Sequence, residues 1–160
     1  MRAIVGIDES EESFYALQWA VTNLFSAGGE PNMVTLAHVH QPSKRYGVAP
    51  SAIPAGVGVT VFPSTAVGDS ERKAEEQASA SILSQALEIC SNKVKAETVI
   101  VEGDPKDMLC EISEHMNVDL LIVGSRGLGR IKRAFLGSVS DYCAHHAKCA
   151  VLIVKPPTKD

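Results

Sequence analysis

The 160-residue sequence has no excess of positive charge, no paired cysteine spacing and no long apolar run, and each absence removes a class of function. The net charge is -4, from 15 Lys and Arg against 19 Asp and Glu, so a surface built to coat nucleic acid is disfavoured and any basic patch must be local. The four cysteines, Cys90, Cys110, Cys143 and Cys149, form no CxxC pair. Structural zinc needs ligands clustered at short spacing, so no metal-ligating residue is assigned and no redox role is read from the spacing. Each cysteine falls in or beside an apolar periodic stretch, and all four are expected as buried thiols. No run of about 18 apolar residues is present to cross a bilayer, and the opening MRAIVGID lacks the charged and apolar regions of a secretory leader. The expected location is the cytoplasm, with the nucleus as a second compartment, and neither a membrane nor a nucleic-acid partner is expected.

What is present is ordinary globular composition. The chain is 45% hydrophobic and 21% charged, near the usual values of about 45–50% and 25%. Its length suits one domain over residues 1–160. The run RAIVGID ends in an acid and is followed by Phe14, Leu17, Val21 and Leu24 at helical spacing, which reads as strand, turn, helix. Met33 to Val39 reads as a second buried strand, completing a βαβ unit. From residue 41 to 68 the prolines 42, 50, 54 and 63 and the glycines 47, 56 and 58 predict a long loop. Loops of that length inside a domain serve as lids and binding loops or are disordered insertions, and both readings fit here.

Ser70 to Ser91 predicts a helix with Ala74, Ala78, Ile82, Ala86 and Ile89 on one face. Lys95 to Val101 alternates as a strand, and Gly103-Asp104-Pro105 supplies an N-cap with proline at the first position of the next helix. DLLIV at 119–123 and AVLIV at 150–154 are the last two strands. Five strands alternating with four helices predict an α/β fold: a single open, doubly wound, five-stranded parallel sheet of Rossmann-like type.

The sharpest local feature follows the fourth strand, where GSRGLGRIKRAFLGSVS runs from Gly124 to Ser140. Glycines fall where a strand ends and a helix begins, at the carboxyl edge of the sheet. There helix N-termini offer unpaired N–H groups to anions, so a phosphate site is expected. It is not a Walker A loop, because Arg130 and Ile131 stand after Gly129 where lysine and a hydroxyl residue are required. Nor does a GxGxxG follow the first strand, as a dinucleotide fold demands. Arg126, Arg130, Lys132 and Arg133 put four positive charges within eight residues, enough to attract phosphate, although a solvated loop has the same composition.

The pattern Gly-x2-Gly-x9-Gly-Ser, here Gly124, Gly127, Gly137 and Ser138, resembles the nucleotide-binding signature of ATP-binding universal stress proteins. So do IVGIDES, the strand ending LAHV, EGDPKD and AVLIVKPP, and the wording GDPKD and GSRGLGR is similar to plant members. The resemblance implies an adenine nucleotide alpha hydrolase-like sheet of order 3-2-1-4-5 that binds ATP or AMP. It implies that Asp8, flanked by Ile7, sits beside the adenosine, that Val39 lines the adenine pocket with Val123 near the base, that Gly124, Gly127, Gly137 and Ser138 lie around the phosphates, and that Val139 and Ser140 complete the wall. Ser125, Arg126, Gly129 and Arg130 of the same loop are assigned to the nucleotide site, with one of the loop's basic residues, not singled out, touching phosphate. Magnesium or manganese would be carried on the phosphates, and a homodimer would form through the strand Ala150 to Val154, with a protein partner unidentified. No nucleophile with a base is recognisable, so no catalytic residue is assigned and any hydrolysis of ATP would be slow. The implied role is a nucleotide-dependent stress-response regulator or switch. The alternative is a chaperone-like interaction module in which nucleotide is incidental. Asp8 also suits a helix cap, Ser138 and Ser140 suit caps as well, and His38 and His40, two apart on one strand and so facing the same way, suit packing and rim roles ahead of the alternative of a metal pair.

Overall fold

A computed structural model describes residues 1–25, 33–41, 65–126 and 136–157, with 65–69 described as backbone alone. The elements run β1 (Arg2–Gly6), α1 (Glu11–Ala20), β2 (Met33–His40), α2 (Thr65–Cys90), β3 (Lys95–Glu102), α3 (Pro105–His115), β4 (Leu120–Gly124), α4 (Ser138–His146) and β5 (Ala150–Val154). A π-helical turn at Val21–Phe25 prolongs α1. The strands form one parallel sheet in the order β3-β2-β1-β4-β5. Its register places Ile4 beside Thr35 on one flank and Leu121 on the other. The chain therefore winds outward from β1 to β3, returns to the middle and winds the other way. The order reverses between β1 and β4, where loops diverge and open α/β sheets take their ligands.

Residues of alternating parity serve the two faces, as strand geometry requires. Ala3, Val5, Ile7, Val34, Leu36 and Ile122 pack with α1 and α2. Ile4, Ala37, Leu121 and Val123 pack with Leu109 and Ile112 of α3 and Cys143 of α4. The amino ends of β1 and β4 are tied reciprocally: the Arg2 amide donates to Asp119 Oδ2 at 2.8 Å and the Asp119 amide to the Arg2 carbonyl at 2.9 Å. At the start of α3, Asp104 caps the helix by accepting from the Lys106 amide, and Pro105 opens it, as the sequence predicts.

Two expectations about α2 need correction. The helix starts at Thr65 rather than Ser70, so the expected loop at 41–68 loses its last four residues to the helix; residues 42–64 lie outside the described residues. Gly68 sits within the first turns, a cost of about 1 kcal/mol that a 26-residue helix tolerates. The buried face is Ser79, Ile82, Leu83, Ala86 and Cys90, whereas Ala74 and Ala78 are exposed. A row spaced by four advances about 40° beyond a full turn at each step, so the row through Ala86 has rotated about 120° from the core by Ala74. Ser79 and Cys90 follow the true stripe.

Candidate functional site

The carboxyl end of β1 is fixed by its neighbour. The Ile7 amide donates to the Ala37 carbonyl at 2.8 Å, and the Ile7 carbonyl accepts from His38 Nδ1 at 2.9 Å. Since a carbonyl only accepts, Nδ1 carries the proton, and buried His38 is a tie between β2 and the β1 exit. His40, two residues on, points Nε2 at Glu75 Oε2 of α2 at 3.1 Å. Both histidines thus take the packing and rim roles expected of them.

Asp8 follows in a tight turn. Its Oδ1 accepts from the Ser10 amide at 2.8 Å and from the Ser10 hydroxyl, while Ser10 Oγ accepts from the Ser13 amide at 3.3 Å. The N-cap of α1 is therefore Ser10, and Asp8 holds the cap rather than being it. The Asp8 amide donates to Ser13 Oγ at 3.2 Å. Among the described residues Oδ2 of this half-buried carboxylate takes no hydrogen bond, which leaves an acceptor at the sheet's ligand edge. Ser10 and Ser13 were not singled out from sequence, although a serine before two glutamates is an N-cap signal.

Across the switch point, Gly124 ends β4 against the first turn of α1. A Cβ there would stand 2.9 Å from the carbonyl carbon and oxygen of Glu12. The glycine thus has a packing cause on the α1 side of the sheet, separate from any approach of phosphate. Ser125, buried, continues the ladder by donating its amide to the Val154 carbonyl at 3.0 Å. Its own carbonyl receives the Gly137 amide at 2.7 Å and the Ser140 hydroxyl at 3.1 Å. The chain leaves β4 at Ser125 and enters α4 at Gly137, and these residues are bonded to each other. Of the intervening residues Arg126 is half-buried, while Gly127, Gly129, Arg130, Lys132 and Arg133 lie outside the described residues.

That joint aims the start of α4 at the carboxyl edge of the sheet. Gly137 is the N-cap and makes no side-chain cap bond, so among the described residues the first-turn amides of Ser138, Val139 and Ser140 have no acceptor outside the helix, the arrangement in which a helix N-terminus receives an anion. Ser138 is exposed and Val139 packs at the edge of the α3/α4 core. The Ser140 hydroxyl, 1% exposed, is committed to Ser125 and Gly137 carbonyls and acts as a brace. Val39 and Val123 lie on the same face of the sheet, either side of β1, with Val123 buried and Val39 partly so. Among the described residues no group of three or more His, Cys, Asp or Glu side chains is placed to hold a metal ion.

Comparison with known proteins gives this geometry a family. The universal stress protein family matches residues 1–155. Universal stress protein PHOS34 of Arabidopsis thaliana is 31% identical over 161 residues, covering 96% of this chain and 61% of the relative. The chain thus spans about three fifths of that relative's length. Among solved structures, a universal stress protein family protein from Arabidopsis thaliana with AMP bound aligns with TM-score 0.68 at 21% identity, covering 99% of this chain and 93% of that one. A universal stress protein in complex with cAMP aligns with TM-score 0.63 at 24% identity, covering 96% of each chain.

Proposed function

The chain belongs to the universal stress protein family, and from that premise we propose that it binds ATP or AMP at the β1/β4 switch point and acts as a nucleotide-dependent stress-response regulator. The observation that carries the reading is the glycine-capped N-terminus of α4, held against the end of β4 by the bond from Gly137 to Ser125. Three first-turn amides and the positive end of the helix dipole suit a phosphate, worth about 1 kcal/mol or more where water is excluded. The relatives solved with AMP and with cAMP support the same ligand class.

In this reading the unengaged Oδ2 of Asp8 accepts from a ribose or adenine donor, with Ile7 fixed beneath it. Val39 and Val123 give the base an apolar wall. Ser138, Val139 and Ser140 present backbone amides to the phosphates. Gly124, Ser125 and Ser140 hold those amides in place, and Arg126, Gly127, Gly129 and Arg130 close the phosphate side. Magnesium or manganese is held through ligand oxygens. The protein acts in the cytoplasm as a homodimer paired through β5.

The test is mass-spectrometric identification of nucleotide released from purified protein, repeated with Gly127→Val, whose branched side chain obstructs close approach of a phosphate. ATP or AMP in the wild type and none in the variant is the expected result. If neither protein carries or binds nucleotide, the interaction-module reading replaces this one.

A further inference from the structure

Helices α3 and α4 meet through two thiols that nothing in the nucleotide reading uses. Cys110 and Cys143 stand 33 positions apart in sequence, yet their sulfurs are 3.8 Å apart. Cys143 is 0% exposed and lies in the α3/α4 core beside Leu109 and Ile112, whereas Cys110 is half-buried at the edge of that core. A third thiol, Cys149, is half-buried at the same edge, near enough that its charge would raise the proton affinity of both others. No CxxC spacing announces this cluster, because the fold, not the sequence, brings its members together.

We propose that Cys110 and Cys143 form an oxidation site at which a peroxide makes a disulfide that locks α3 to α4. A disulfide needs sulfurs at about 2.05 Å, so the gap must close by about 1.8 Å, a distance within reach of rotation about the two Cα–Cβ bonds. The accessible Cys110 thiolate attacks one peroxide oxygen, forming an S–O bond, breaking the O–O bond and releasing hydroxide, which is protonated to water. The Cys143 sulfur then attacks the Cys110 sulfur, breaking its S–O bond. The departing oxygen takes the Cys143 proton and leaves as the second water. Two thiols lose two electrons to one peroxide, and no other reactant is needed.

The environment assigns the order. Burial pushes Cys143 up to about 12, so it keeps its proton and waits as the resolving group. Burial also raises Cys110, but the contact with Cys143 works against that rise because a thiol neighbour can donate to a thiolate. Cys110 is both the more exposed and the more readily ionised member. Its raised affinity makes the reaction slow at neutral pH, with a rate rising about tenfold per pH unit below the Cys110 pKa, since the thiolate is the nucleophile. The bond lies one turn beyond Ser140, on the helix whose N-terminus docks on Ser125.

The test treats the whole protein with hydrogen peroxide at pH 7 and pH 8, blocks free thiols, and maps peptides without reductant. The expected product is an intramolecular Cys110–Cys143 peptide pair, formed about ten times faster at the higher pH, abolished in Cys110→Ser and retained in Cys149→Ser. Closing the loop between them should raise the melting midpoint by about 5 °C or more, reversed by dithiothreitol. A Cys110–Cys149 link, intermolecular disulfides, sulfinic acid without any disulfide, or a disulfide that leaves the midpoint unmoved would each overturn the lock.

Discussion

Gly124 and Gly6 look alike in the sequence, each the last residue of a central strand, but their surroundings make them unequal. A Cβ on Gly124 would press on Glu12 backbone atoms at 2.9 Å, and backbone inside a helix turn cannot step aside. A Cβ on Gly6 would meet the Leu109 side chain at 3.1 Å, and a leucine terminus can. Gly124→Ala is therefore expected to cost about 1–3 kcal/mol and Gly6→Ala less than about 1 kcal/mol, as denaturant midpoints would show. Equal costs would mean that the seam between α1 and β4 yields more easily than its close packing implies. The buried thiols give a second residue-scale prediction. Cys90 is raised to about 11 and Cys143 to about 12 from the ordinary 9.0, chiefly by burial. Between pH 9 and 11 the unfolded chain has released these protons while the folded chain retains them. Stability is therefore complete below about pH 9 and falls as pH rises, by up to about 1.4 kcal/mol per pH unit for each thiol. Urea titrations under reductant across that range should show the slope, and Cys143→Ala should make it shallower.

At the scale of elements, few bonds among the described residues join the start of α4 to the end of β4, and each matters to that joint. Ser140→Ala removes the hydroxyl that braces Ser125 and Gly137, leaving the Gly137 amide as the one donor to the Ser125 carbonyl among the described residues. The expected loss is about 1 kcal/mol of stability, with faster hydrogen exchange at the Gly137 amide and little change in β1 or β2. The same element shows what sequence makes legible. DLLIV announces itself because a central parallel strand is buried on both faces, AVLIV because it is an unbroken apolar run even at the partly buried edge, and Asp104-Pro105 announces α3 because cap chemistry is local. The glycine at the end of β4 is equally visible, and so is the start of α4. The cause of Gly124 is not, because the Glu12 backbone that requires it is more than a hundred residues away in the chain. Ser10 before two glutamates does carry an N-cap signal, but the role of Asp8 in holding that cap is assigned by geometry alone, since both side-chain oxygens lie within one turn. The face of α2 slipped for a different reason. Alanines serve a buried or an exposed position equally, so a four-residue row of them fixes no stripe over 26 residues.

For the whole molecule the two edges of the sheet are unlike, and that asymmetry bears on assembly. The β3 edge, from Lys95 to Glu102, carries Lys95, Glu97 and Glu102, charges that discourage pairing with another strand. The β5 edge reads Ala150-Val-Leu-Ile-Val154 with no charge, and Val151, Leu152 and Ile153 are only partly buried. An uncharged apolar edge is stable in solution when another strand or surface covers it, and in a symmetric pair the most economical cover is the same strand of a second copy. Sedimentation should therefore give about twice the 17.0 kDa chain mass across a wide concentration range. Val151→Lys, which sets two like charges near a two-fold seam, should shift that mass to the monomer while far-ultraviolet circular dichroism stays unchanged. A matching lysine at Glu97 on the β3 edge should leave the dimer intact. If the wild type sediments as a monomer at every concentration, the β5 edge is covered by something other than itself, and the partner that the regulator reading requires becomes the first candidate for that surface.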